Sequence, residues 1–143
     1  MKSELPVVGW REKVDLPDWG VVGLTAKLDT GARTSAIHVD EIVKLDEKNI
    51  SFWVVLSRKV VEKRVHIEAQ ISRESNVRSS TGHLQTRYIV RTRLLLAGVD
   101  KEVELSLVQR PHMLCRMLIG RSALAGNFVV DPSIKHVTQE PLP

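Results

Sequence analysis

The run Leu24-Thr25-Ala26-Lys27-Leu28-Asp29-Thr30-Gly31-Ala32 leads a strand-like stretch into an acid, a small hydroxyl residue and a glycine. Those three types suit one chemistry. The Asp29 carboxylate can take a proton from a water, the Thr30 hydroxyl can lock the loop that carries it, and Gly31 lets backbone come close to a bond under attack. By itself the triplet is also an ordinary turn. Its weight depends on what else the chain supplies.

A second segment supplies part of that. Met117-Leu118-Ile119-Gly120-Arg121 runs into Ser122-Ala123-Leu124 near the chain end, an apolar run followed by a short helix from Arg121 to about Ala125, with Gly126 placed to stop it. Between the two segments, Ser72 to Thr86 is polar, with Val77 and Leu84 as its only large aliphatics. It reads as a mobile hairpin of the kind that serves as a lid.

The elements that must position these residues are strands. Apolar residues recur with period two in short runs bounded by turn residues, which predicts strands over Val7 to Val14, Val21 to Leu28, Ile37 to Leu45, Ile50 to Leu56, Val60 to Ile71, Arg87 to Leu96, Lys101 to Val108 and Phe128 to Asp131. Val65, Ile67, Ala69 and Ile71 are expected to face a core, with His66, Glu68 and Gln70 turned away. Arg87, Arg91 and Arg93 share a face opposite Tyr88, Val90, Thr92 and Leu94. A turn centred on Gly98 and Val99 would set Arg93 across from Glu104.

Bulk properties narrow the class. A chain of 143 residues with 43% hydrophobic residues suits one folded domain over 1–143, with 1–6 and 138–143 as loose termini. The net charge of +4 is a modest basic excess that hints at an anionic partner. Cys115 is the single cysteine, so no intrachain disulfide can form, and a reducing compartment fits. No signal-like or membrane-spanning run is seen, so a cytoplasmic location and no membrane partner are the expectations.

Taken in order, loop, polar hairpin and Gly-Arg helix resemble a retropepsin, and the resemblance sharpens to one bacterial group. These are the retropepsin-like aspartic peptidases of the RimB type, long labelled ATP-dependent zinc proteases and associated with RimK-type glutamate ligases. The stretches that carry it are Ala26 to Ala36, Arg87 to Thr92, Arg116 to Leu124 and Val129-Val130-Asp131-Pro132. It implies a mainly β, closed-barrel acid-protease fold with one short C-terminal helix, and a hydrolase whose catalytic residues are Asp29, Thr30 and Gly31. In viral retropepsins an acid usually follows Asp-Thr-Gly-Ala and can pair with the arginine of Gly-Arg. Here that position is Arg33, so Arg121 is expected to find another carboxylate, with Asp131 the candidate.

Aspartic peptidases need two carboxylates on one water, and this chain has one Asp-Thr-Gly. The resemblance therefore implies a homodimer with the two loops at a two-fold axis. Carboxylates about 3 Å apart cannot both ionise, so the pair shares a proton. Gly120 and Arg121 would buttress the loop. Ala32, Arg33, Arg78, Gly82 and Arg87 are the candidates for holding substrate, which the group's association with glutamate ligases makes an acidic peptide or protein. A catalytically silent, peptide-binding version of the same fold is the rival reading.

Other chemistries find little in the residues. His38, His66, His83, His112 and His136 form no His-Glu-x-x-His, and His112-Met113-Leu114-Cys115 has no partner pair, so neither metal nor other cofactor is expected. No Gly-Lys-Ser or Gly-Lys-Thr phosphate loop occurs. Cys115 reads as a core cysteine. The arginines at 87, 91 and 93 lack the interleaved aromatics that a nucleic-acid groove uses, so nucleic acid is not expected as a partner.

Overall fold

The computed structural model describes residues 4–78 and 81–136. Among the described residues ten strands and one α-helical turn follow in order, with a 3-10 turn (Pro17–Trp19) between the second and third strands: β1 (Val7–Gly9), β2 (Arg11–Leu16), β3 (Val21–Leu28), β4 (Ser35–Lys44), β5 (Asn49–Val55), β6 (Arg64–Arg78), β7 (Leu84–Leu96), β8 (Val99–Val108), β9 (Met117–Ile119), α1 (Arg121–Leu124) and β10 (Val129–Asp131). The fold is mainly β, as expected. Eight strands form one sheet in the order β2-β3-β9-β4-β5-β6-β7-β8, and the extra pairings β2–β7 and β4–β8 curl it into a ring. Its inward faces make one core, in which Phe52, Leu16, Ile37, Ile50, Leu94, Leu105, Met117 and Ile119 are fully buried. Each such side chain contributes roughly 1.5–3 kcal/mol of transfer free energy.

The expected Val7–Val14 strand is two strands. β1 pairs in parallel with β10, and β2 pairs with β3. The break is held by Glu12, which is fully buried and accepts from Gly9 N at 2.7 Å. Gly9 itself is required, since a Cβ there would sit 2.3 Å from Ile134 O. Of the termini expected to be loose, residues 1–3 and 138–143 lie outside the described residues, whereas Pro6 accepts a hydrogen bond from Val129 N at 3.0 Å.

Three other expectations need correction. The strand expected from Val60 begins at Arg64: Val60 and Val61 are 42% and 58% exposed, in a turn closed by Lys63 N donating to Val60 O. The Ser72–Thr86 run is a hairpin, as expected, but the strands expected to stop at Ile71 and resume at Arg87 continue through it, with β6 and β7 paired out to Arg78↔Leu84. Residues 79 and 80 at its tip lie outside the described residues. The next turn is Ala97-Gly98, with φ of 51° and 78°, so Leu96 faces Val99 and Arg93 faces Glu102. A two-residue hairpin turn with both φ positive tolerates alanine and glycine better than β-branched Val99. Arg93 then pairs with Asp18 and Asp100, both at 3.1 Å, while Glu104 meets Arg73 and Arg91.

Candidate active site

Asp29 sits where β3 ends. The two strands that flank its loop, β3 and β4, are not neighbours: β9 lies between them, parallel to β3 through Leu28↔Ile119 and antiparallel to β4 through Ala36↔Leu118. The 29–34 loop must therefore pass over the end of β9. Ile119 O accepts from Asp29 N at 2.8 Å and extends the β3 ladder by one residue. The loop closes on itself through Ala32 N donating to Asp29 O at 3.2 Å and Gly31 N donating to Asp29 Oδ1 at 2.9 Å. One carboxylate oxygen is thus occupied locally. Asp29 is half-buried, and Thr30 and Gly31 are exposed.

The Gly120-Arg121 segment grips this loop from beneath. Arg121 N donates to Ala32 O at 2.7 Å and Ser122 N to Arg33 O at 3.1 Å. Gly120 N donates to Ser35 Oγ at 3.0 Å in a buried setting. A side chain at Gly120 would meet Ala32 O and Thr34 C at 2.8 Å, which explains glycine there as a matter of space. Among the described residues the Arg121 guanidinium meets no carboxylate. Nη1 donates to Gly31 O at 3.0 Å and Thr30 O at 3.5 Å, so the charge orients backbone carbonyls of the loop. Asp131 is engaged elsewhere: Ser133 Oγ and N donate to its Oδ1 at 2.6 and 2.9 Å, and these bonds lower its pKa.

Asp29, Thr30, Gly31, Ala32 and Arg33 thus come together with Gly120 and Arg121. Arg78, Gly82 and Arg87 stand on the β6–β7 ribbon, without a hydrogen bond or ion pair to the loop among the described residues. Gly82 has φ +86°, suited to the ribbon's tip. Burial, and then the charge of Arg110, lowers the pKa of Arg87. Cys115 is buried. His66 is exposed on its strand and lies against Trp53, ring centroids 4.9 Å apart. Among the described residues no three His, Cys, Asp or Glu side chains gather in a metal-binding group, and no helix is long and apolar enough to cross a membrane.

The residue pattern did not point to the groove next to this loop. It is about 330 Å³, and Arg11, Lys27 and Arg110 are among its walls. The 109–116 connection that forms one side is held by buried groups. His38, 2% exposed, accepts from Arg110 N at Nδ1 (3.0 Å), and Arg116 donates to Pro111 O and Met113 O. Lys27, two residues before Asp29, was within reach of period-two reasoning. Arg11 and Arg110 are brought there only by pairing across the fold.

The ring-shaped sheet, the loop slung over β9 and the Gly-Arg clamp define a retropepsin-like protein. Residues 7–141 match the RimB-like family, described as retropepsin-like aspartic endopeptidase RimB, and the chain belongs to that family. It is 34% identical over 137 residues to a "Probable alpha-L-glutamate ligase" of Parasynechococcus marenigrum strain WH8102. Over 133 residues it is 35% identical to a protein of the same description from Shewanella halifaxensis strain HAW-EB4. These matches cover 91% and 89% of the chain, which spans only 28% of each relative's length. A crystal structure of a Legionella pneumophila protein of unknown function (DUF785) superposes with a TM-score of 0.78 at 24% identity, covering 95% of this chain and all of that one. That likeness concerns the fold alone.

Proposed function

We propose that the chain is an aspartic endopeptidase that works as a homodimer and cuts acidic, glutamate-rich peptides. The observation that carries the reading is the Asp29 loop itself, which presents a carboxylate at the surface and is clamped from below by Gly120 and Arg121. Membership in a family named for aspartic endopeptidases supports it. So does similarity to one part of proteins described as glutamate ligases, because a chain related to such enzymes meets glutamate-bearing products.

In the dimer, two Asp29 side chains face one water and share a proton. The ionised carboxylate takes a proton from the water as its oxygen adds to the peptide carbon. The protonated partner gives its proton to the carbonyl oxygen, which makes a tetrahedral intermediate with no bond to the enzyme. Collapse returns the carbonyl, and the nitrogen leaves with a proton from the pair. Thr30 links the loops across the axis, Gly31 leaves room for the substrate, and the β6–β7 ribbon closes over it. Arg33, Arg78 and Arg87 hold substrate carboxylates, with Ala32 and Gly82 against the peptide backbone.

The test is incubation of purified protein with oligoglutamate and with mixed-sequence peptides, read by mass spectrometry, beside Asp29→Asn. Cleavage that vanishes in Asp29→Asn and persists with a chelator supports the reading. Silence of both proteins favours the catalytically silent peptide-binding module instead. Analytical ultracentrifugation tests the dimer, and a monomer that cleaves would sink the shared-site mechanism.

A further inference from the structure

The groove beside the Asp29 loop carries charge that the rest of the fold does not use. Its walls bring Arg11, Lys27 and Arg110 together over apolar surface from Leu118 and Leu114. Arg11 is the direct cross-strand partner of Lys27, and Lys27 is the direct neighbour of Leu118, so these three side chains stand in one row on the sheet's outer face. Lys27 precedes Asp29 by one strand period, which sets the row about 7 Å from the catalytic loop.

Among the described residues the charge is uncompensated. No ion pair reaches Arg11, Lys27 or Arg110 among the described residues, and no acidic residue lines the groove. Arg11 Nε is sealed from solvent and has no acceptor among the described residues. Arg87, whose pKa is lowered in part by the charge of Arg110, adds a fourth cation nearby. A cleft walled by one sign of charge concentrates the opposite ion, and Leu114, 71% exposed at the rim, leaves apolar surface without cover.

We propose that this groove is the specificity subsite of the enzyme, and that its occupant is a glutamate side chain of the peptide beside the scissile bond. The two methylenes of glutamate lie on Leu118 and Leu114, and its carboxylate is held among Arg11, Lys27 and Arg110. The placement beside a scissile bond rests on the peptidase reading; the affinity for acidic peptide does not.

Lys27 and Arg110 are exposed, so both can be replaced without touching the core. The experiment is a fluorescence-anisotropy titration of labelled hexaglutamate and hexaglutamine onto the full chain carrying Asp29→Asn, which removes turnover. Hexaglutamate is expected to bind about tenfold more tightly than hexaglutamine, and Lys27→Met and Arg110→Gln each to weaken it by about tenfold with hexaglutamine unchanged. Lys59→Gln, at an exposed lysine in a turn remote in sequence from the groove, should cost less than about twofold. Lys27→Glu should turn the preference toward hexalysine.

Equal binding of hexaglutamate and hexaglutamine overturns the proposal, as does a Lys59→Gln loss equal to that of Lys27→Met. Cleavage assays separate the two readings. If the parent cleaves, Asp29→Asn does not, and the groove variants bind like the parent, the subsite falls and the peptidase stands. If nothing cleaves while Lys27→Met still loses hexaglutamate, the peptidase falls and the acidic-peptide groove stands.

Discussion

Gly120→Ala isolates the contact that shapes the Asp29 loop. Gly120 has φ −95° and ψ 177°, extended backbone that alanine adopts freely, so the local conformation does not oppose the change. Space does. A new Cβ would lie 2.8 Å from Ala32 O and Thr34 C and 2.9 Å from Arg33 C, all of them backbone. Ordinary contact begins about 0.6 Å farther out, so the whole 32–34 stretch must back away. That movement pulls on Arg121 N–Ala32 O at 2.7 Å, on Ser122 N–Arg33 O at 3.1 Å and on the buried Gly120 N–Ser35 Oγ bond at 3.0 Å. Overpacking of this kind costs roughly 1–3 kcal/mol, and one weakened buried bond adds about 1 kcal/mol. Alanine's smaller freedom in the unfolded chain offsets roughly 0.4–1 kcal/mol. The net expectation is a loss of about 2 kcal/mol, or a fall in Tm of roughly 8 °C for a domain of this size. Scanning calorimetry of parent and variant at equal protein concentration measures it. A variant melting within about 2 °C of the parent would refute the close-approach argument.

Other perturbations probe separate parts of the fold. Arg121→Met removes the donors to Gly31 O and Thr30 O from an exposed position; we expect Tm to move by less than about 4 °C while hydrolysis of glutamate peptides drops about tenfold, and unchanged kinetics would discard the orienting role. Burial first, and the Arg116 charge second, hold the pKa of His38 below 6.5. The unfolded chain then takes up that proton at higher pH than the folded one, so the contribution is intact above pH 6.5 and is lost as pH falls through the folded value. His38→Gln should flatten the decline of Tm with acidification, and parallel curves for the two proteins would rule this out. Phe52→Ala empties a fully buried site against Trp19 and should cost about 3–5 kcal/mol in urea unfolding; a loss under about 1 kcal/mol would mean that the ring does not fill the core.

Much of the architecture was legible because one face of most strands is buried. Alternation in 65–71 and 90–96 marks inward residues that the structure does bury in whole or part. Period alone could not choose the β7–β8 register. Sliding the partner of Arg93 from Glu102 to Glu104 is a two-residue shift that keeps every side chain on its face, so only the turn decides. Val60 and Val61 read as strand by propensity and sit in a turn, while the β6–β7 ribbon reads as a hairpin without marked strands because neither of its outer faces meets the core. At the candidate site the residue types of the loop and the Gly-Arg segment were visible. Their mutual contact came from the family resemblance and not from the residue pattern, since it depends on β9 entering between two strands that precede it by many residues. The partner of Arg121 was misjudged for a related reason: a guanidinium was matched to a carboxylate, whereas the loop offers carbonyl oxygens at closer range.

The insertion of β9 also sets an order of events in biosynthesis. Asp29 emerges from the ribosome about ninety residues before the segment whose Gly120 and Arg121 give its loop a shape, as the separation of 90 between Gly31 and Arg121 shows. Contacts so distant along the chain close late in folding. Until that segment has been made, the loop that carries Asp29 lacks the contacts that give it its shape.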